Sequence, residues 1–200
     1  MGYTAIIDYG AGNLMSVTNA LNFLGYENRI TSDVAEMEMA DRLILPGVGA
    51  FPAAMEYLGL RGLLQHTKRL AVEKPFLGIC LGMQMLFDSS DEFEETDGLG
   101  LIPGRVRKID TGLKLPHIGW NSLDIKNPCA ILKGFSGGEF VYFVHSFCAV
   151  TERAENLSAT ASYGEDVAAV VFRGNIFGCQ FHPEKSGDIG LSILKNFCEI

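Results

Sequence analysis

One short segment limits what this chain can fold into more than any other. The apolar run Pro75-Phe76-Leu77-Gly78-Ile79 reaches Cys80 and passes at once into Leu81-Gly82-Met83-Gln84, where Met83, Leu86 and Phe87 set up a helical spacing. A strand that turns into a helix without an intervening loop needs a sharp corner and close packing, and Gly78 and Gly82 permit both. The pattern predicts a nucleophile elbow, with the Cys80 side chain standing at the mouth of a sheet. A thiol placed there also faces a helix N-terminus, whose dipole favours the thiolate.

A hundred residues further on, Gln180-Phe181-His182-Pro183-Glu184 supplies a base and a carboxylate to orient it. His182 and Glu184 are two apart, so an extended chain would turn them to the same side. Cysteine, histidine and carboxylate together are the parts of a thiol-based acyl-transfer site. Pro46-Gly47-Val48-Gly49 reads in two ways, as an ordinary strand-to-loop turn or as flexible backbone able to aim N–H groups at a developing oxyanion. The glycine turn Gly10-Ala11-Gly12 lacks the third glycine of a dinucleotide loop and the Lys-Ser/Thr of a P-loop, so it is poor support for a nucleotide site.

The remaining chain alternates strands with helices. Residues 3–8 read as an apolar strand, and Leu14, Val17, Leu21 and Leu24 mark one helical face closed by Gly25. Residues 42–45 read as a buried strand, and helical stretches around 53–58 and 60–72 precede the elbow. This βαβα order predicts a mostly parallel central sheet flanked by helices, an α/β fold. Beyond Leu99 the texture changes to short strands separated by turns such as Pro103-Gly104 and Gly137-Gly138, which predicts an additional antiparallel portion in the second half. The best later strands are 140–147, 167–172 and 176–181, and a closing helix from Asp188 carries Ile189, Ile193 and Phe197 on one face. The acidic stretch 88–97 reads as a solvated loop. No linker or repeat interrupts the pattern, so residues 1–200 are expected to form one domain.

Composition decides which partners are plausible. A formal net charge of −8 leaves no basic stripe to meet phosphates, which argues against nucleic acid. No apolar run reaches the ~18–20 residues of a membrane span. The N-terminus enters a strand directly, without the pattern of a signal peptide, so no membrane partner and a cytoplasmic location are expected. Five cysteines, odd in number and without a C-x-x-C pair, read as reduced thiols rather than a disulfide or zinc framework. No metal or other cofactor is expected. Cys129, Cys148, Cys179 and Cys198 read as core packing. His66 reads as a surface residue, and His117 and His145 as hydrogen-bonded structural residues in apolar strands. Only His182 has a carboxylate at a matching short spacing.

Through the elbow, Pro46-Gly47-Val48-Gly49 and His182-Pro183-Glu184, the chain resembles the class I (triad) glutamine amidotransferases. Within that family it is more closely similar to the glutaminase subunits of imidazole glycerol phosphate synthases. The segments that carry this are Asp8-Tyr9-Gly10-Ala11-Gly12-Asn13-Leu14, Pro116-His117-Ile118-Gly119-Trp120-Asn121, Phe143-Val144-His145-Ser146 and the stretch from Gln180 to Gly187. The resemblance runs along essentially the whole chain. Met15 stands where a basic residue is expected and Phe147 where tyrosine is expected.

The resemblance implies a glutaminase whose nucleophile is Cys80 and whose base is His182, oriented by Glu184. The oxyanion would be held by the N–H of Leu81 and one from the Val48 region after a backbone rearrangement. Gly49, Gln84 and the backbone at Ser146 and Phe147 would hold glutamine, with Glu92 as an anionic partner for its α-ammonium. The family's ammonia acceptor is a (β/α)8 cyclase subunit, which would dock on Asn13, Trp120, Tyr142 and Lys185. The alternative is an ammonia-supplying subunit for a different acceptor synthase.

Overall fold

The computed structural model describes residues 2–200. Strand β1 (Thr4–Ile7) is followed by helix α1 (Leu14–Phe23), strand β2 (Asn28–Thr31), helix α2 (Val34–Met39) and strand β3 (Arg42–Gly47). Helices α3 (Phe51–Leu60) and α4 (Leu64–Glu73) lead into β4 (Phe76–Cys80) and the four-residue helix α5 (Leu81–Gln84). Two-residue strands β5 (Ser89–Ser90) and β6 (Thr96–Asp97) come next, then β7 (Gly104–Lys108), β8 (His117–Ser122) and β9 (Asp124–Ile125). The chain closes with β10 (Phe140–His145), β11 (Phe147–Thr151), β12 (Leu157–Ser162), β13 (Asp166–Arg173), β14 (Ile176–Cys179) and helix α6 (Gly187–Cys198).

The main sheet has the order β2-β1-β3-β4-β14-β13-β12-β9. Its first five strands are parallel and its last three antiparallel, so the expected mixture is present in one sheet. Two smaller sheets, β10-β8 and β11-β7-β5-β6, hold the rest of the second half. Alternation along the central strands feeds two apolar layers. Ile7, Leu43, Leu45 and Phe76 meet α2, α3 and α4 on one face. Ile6, Ile44, Leu77 and Ile79 meet α1 and α6 on the other. Burial of each such side chain stabilises the fold by about 1.5–3 kcal/mol. Truncating Leu77, which is fully buried, to Ala would cost about 2–5 kcal/mol through lost contacts and a cavity.

The structure differs from the sequence reading in several places, each with a physical reason. Strand β2 and helix α2 carry no obvious pattern. The former is an edge strand whose Asn28-Arg29-Ile30 largely face outward, and the latter is a short helix started by Asp33, whose side chain accepts from the Ala35 N–H. The helices expected at 53–58 and 60–72 run longer or later, because Phe51-Pro52 begins α3 and the chain turns at Gly62 (φ +70°) before α4. Residues 88–97 are not wholly loop, since β5 pairs with both β6 and β7. The single strand expected over 140–147 is two strands in two different sheets, β10 on β8 and β11 on β7, separated by Ser146 alone.

Candidate active site

The elbow forms as the glycines require. Cys80 sits at φ 56° and ψ −110°, a conformation that costs a non-glycine residue about 1–3 kcal/mol. Close backbone packing holds it there: a Cβ on Gly82 would lie 1.8 Å from the Leu45 carbonyl oxygen, and one on Gly78 2.5 Å from the Gly82 oxygen. Pairing of β3 with β4 sets Gly47 opposite Cys80, so the register itself lays the Val48–Gly49 turn beside the thiol. The helix that follows is a single turn, shorter than the run of Met83, Leu86 and Phe87 suggests.

His182 and Glu184 arrive by a different route from the one expected. Strand β14 stops at Cys179, paired in parallel with Ile79, so the chain leaving it emerges next to Cys80. Pro183–Lys185 then forms a 3-10 turn, and this turn, not the alternation of an extended chain, brings the two side chains together. His182 Nδ1 lies 2.8 Å from Glu184 Oε1, with the two side chains only 3% and 1% exposed. The turn is stitched to β10: the His182 N–H donates to the Tyr142 carbonyl, Ser186 Oγ donates to the His182 carbonyl, and the Tyr142 N–H donates to Ser186 Oγ. Burial pushes the His182 pKa down, but hydrogen bonds to Cys80 and Glu184 and their charges outweigh it and raise the value to about 9. Nδ1 faces Glu184, so Nε2 is the nitrogen left for the Cys80 sulfur.

A cavity of about 400 Å³ opens over this pair. Cys80, Leu81 and His182 line it together with Val48 and Gly49 from the turn after β3. Gln84, Glu92, Ser146 and Phe147 line it as well, so every residue expected at the thiol, the oxyanion or the glutamine is brought to one space. Glu184 stays behind His182, outside that lining. Glu92 is anchored by accepting the Phe51 N–H at 2.8 Å, which ties the acidic loop to the start of α3 and engages one of its oxygens. Of the residues expected on a docking face, only Lys185 reaches the cavity. Trp120 and Tyr142 are cross-strand neighbours on the β8–β10 pair, with ring centroids 6.0 Å apart. Asn13 occupies the N-cap position of α1 without bonding the helix backbone through its side chain, whose Oδ1 accepts from Ser16 Oγ instead.

Residues outside the expected set also shape the site. His145, read as structural, does pack in a buried network, yet it also lines the cavity. Burial pushes its pKa down to about 4, and His117 is lowered by burial too, so both rings are neutral at physiological pH. The fully buried Gln180 donates to Cys80 Sγ, and only its place in the Gln-Phe-His-Pro-Glu segment hinted at it. His66 is half-buried on α4 rather than a plain surface residue. Burial raises the pKa of Cys129, Cys148 (to about 11), Cys179 and Cys198. Among the described residues, no group of three or more His, Cys, Asp or Glu side chains is placed to hold a metal ion, and no helix is long and apolar enough to cross a membrane.

Comparison with known proteins adds to this geometry. The family model for glutamine amidotransferase class-I matches residues 5–200. A protein of Listeria innocua serovar 6a named imidazole glycerol phosphate synthase subunit HisH is 52% identical over 198 residues, spanning 98% of this chain and 94% of that one. One of the same name from Caldanaerobacter subterraneus subsp. tengcongensis is 50% identical over 196 residues, spanning 98% and 97%. Among solved structures, PurLQS from Thermotoga maritima superposes with a TM-score of 0.76 at 22% identity, covering 100% of this chain and 99% of that one. A crystal structure described as a glutamine amidotransferase gives 0.75 at 20%, covering 98% and 100%. The two solved structures speak for the fold, and the full-length sequence matches for the family. The chain belongs to the class I glutamine amidotransferases and, within them, to the HisH subunits of imidazole glycerol phosphate synthase.

Proposed function

We propose that this chain hydrolyses glutamine to glutamate and ammonia at Cys80 and passes the ammonia to a (β/α)8 cyclase subunit. That subunit would make imidazole glycerol phosphate and aminoimidazole carboxamide ribotide in histidine biosynthesis, in the cytoplasm. One observation carries the reading. A single cavity gathers an elbow thiol, an imidazole paired with a buried carboxylate, and Gly49, Gln84, Glu92, Ser146 and Phe147 around them.

The chemistry follows from that arrangement. The Cys80 sulfur attacks the side-chain carbonyl carbon of glutamine, and the proton it gives up rests on His182, which Glu184 keeps oriented and charged. The N–H groups of Leu81 and of the Val48–Gly49 turn are the candidates to hold the oxyanion. The carbon–nitrogen bond then breaks as His182 hands its proton to the departing nitrogen, which leaves as ammonia, and a glutamyl thioester remains on Cys80. Water, deprotonated by the now neutral His182, attacks the thioester, and glutamate departs as the sulfur is released. Ammonia can act as a nucleophile only while unprotonated, so it must reach its acceptor without entering bulk water.

The outer face of the β8–β10 pair supports a partner at that exit. Ile118, Trp120 and Phe140 are 59%, 55% and 57% exposed, and Tyr142 and Val144 share their face. Val144 lines the cavity, so this apolar surface begins at its mouth. Lys185 borders the same mouth.

The test is to purify the chain with its co-expressed cyclase and supply either glutamine or ammonium salts. Cys80→Ala should remove synthesis from glutamine and spare synthesis from ammonium. A Cys80→Ala complex that still consumes glutamine would overturn the assignment, and co-purification with a different synthase would replace the acceptor.

A further inference from the structure

Gln180 is fully buried behind the pocket wall, where it links the two lining residues Gln84 and Cys80, and its polarity can be fixed from its neighbours. The Phe147 carbonyl can only accept, so the Gln84 terminus 3.0 Å from it is the NH2 group. The same Gln84 Nε2 lies 3.0 Å from Gln180, which must therefore present its carbonyl oxygen there. The NH2 group of Gln180 is left facing Cys80 Sγ at 3.8 Å, within reach of a hydrogen bond to sulfur.

The same carbonyl also fixes the polarity of the neighbouring imidazoles. His145 Nδ1, 2.8 Å from that Phe147 carbonyl, must carry a proton, so its Nε2 accepts from His117 Nδ1 at 3.1 Å. His117 Nε2 is then an acceptor for Asn121 Nδ2 at 3.4 Å, and Asn121 is oriented independently by donating to the Ser162 carbonyl at 2.8 Å. Every link from Asn121 to Cys80 has one permitted polarity, with a single proton on each imidazole.

From this network we propose that Gln180 is a positioning residue for the Cys80 sulfur, a neutral donor that stabilises the thiolate and ties it to Gln84 of the glutamine pocket. The proposal rests on Cys80 being the nucleophile. His182 gives its proton away during turnover, whereas the Gln180 amide keeps both of its hydrogens and is still in place when sulfur is released from the thioester. Gln84 has committed both amide hydrogens, so it can meet a ligand only through Oε1, as an acceptor. A donor arriving on that oxygen polarises the Gln84–Gln180–Cys80 chain in the direction that strengthens the bond to sulfur, an effect enlarged by the low local dielectric.

The experiment uses the complex and three measurements on Gln180→Glu and Gln180→Met: kcat and KM for glutamine, Cys80 alkylation by iodoacetamide against pH, and thermal unfolding. Gln180→Glu keeps the shape and the acceptor for Gln84 but offers sulfur no donor, and Gln180→Met removes both polar groups at similar volume. Loss of a hydrogen bond to a charged group predicts a fall in kcat of about 10- to 100-fold, with a smaller change in KM. The pH of half-maximal alkylation should rise by about one unit, more in Gln180→Glu because the new charge repels the thiolate. In the wild type, the Gln180 side-chain amide NMR signals should shift when Cys80 is alkylated. An alkylation curve that superimposes on wild type in a folded variant, or amide signals that do not move, would overturn the proposal. If the Cys80 assignment itself is wrong, Cys80→Ala retains glutamine turnover whatever Gln180 does.

Discussion

His182 Nδ1 and Glu184 Oε1 are 2.8 Å apart across one 3-10 turn, both almost fully buried. This pairing and the nearby sulfur hold the imidazole pKa at about 9, above the unfolded value of about 6.5. For a base whose folded pKa is raised, the linked stability is complete below the unfolded value and is lost as pH rises through the folded one. NMR titration should find His182 changing charge near pH 9, and at lower pH in Glu184→Gln. That variant should also lose less stability between about pH 6.5 and 9. An unchanged midpoint would detach Glu184 from this role.

Members of a catalytic triad act as a unit, with unequal shares. His182→Ala should reduce glutamine turnover nearly as far as Cys80→Ala, and Glu184→Gln less. Steady-state glutaminase assays of the three complexes rank them. Equal residual activity in His182→Ala and wild type would be decisive against the mechanism.

His145 predicts the opposite pH behaviour. Its folded pKa of about 4 lies below the unfolded value, so the unfolded chain binds more protons over that interval. Stability should fall as pH drops from about 6.5 to 4, by about 3 kcal/mol from this residue. Urea unfolding across that range should show a shallower loss in His145→Gln than in wild type.

Gly82→Ala should abolish folding or thiol reactivity, because its Cβ would sit on the Leu45 carbonyl oxygen. Gly59→Ala provides the contrast. That glycine is helical, exposed and has nothing within 4 Å of an added Cβ, so the change should stabilise the chain by about 0.5–1 kcal/mol. Thermal melts of the two variants separate a required glycine from a tolerated one.

Trp120→Ala and Lys185→Ala should weaken the cyclase complex or raise the glutamate released per product formed, while leaving the melting temperature of the isolated chain unchanged. Trp120 is of the residue type that anchors interfaces, and it is more than half exposed. An unchanged ratio and unchanged affinity in both variants would remove this surface from the docking site.

The parts of the molecule legible in sequence are those encoded by local backbone demands. The elbow could be read because Gly78 and Gly82 flank Cys80 where β4 and α5 pack too closely for a Cβ, and the parallel sheet because its buried strands are continuously apolar. The closeness of His182 and Glu184 was legible, although the 3-10 turn that produces it was not. Strand β2 was hidden because an edge strand with outward polar residues lacks an apolar signature. The break at Ser146 was hidden because apolar residues continue straight through it, and only the pairing partners, β8 on one side and β7 on the other, reveal two strands. Gln180 could not be assigned from spacing, since its role depends on a carbonyl 33 positions earlier and an amide 96 positions earlier.

The β8–β10 pair carries different cargo on its two faces. His117 and Asn121 with Val141, Phe143 and His145 point inward, while Ile118 and Trp120 with Phe140, Tyr142 and Val144 point outward. Side chains alternate with period two, so a change in length by one residue within either strand would exchange the faces beyond it. The imidazoles would be turned out to water and the tryptophan driven into the core. The fold of this strand pair therefore tolerates substitution on its outer side but not single-residue insertion or deletion, and the docking face it carries can be remodelled only at constant strand length.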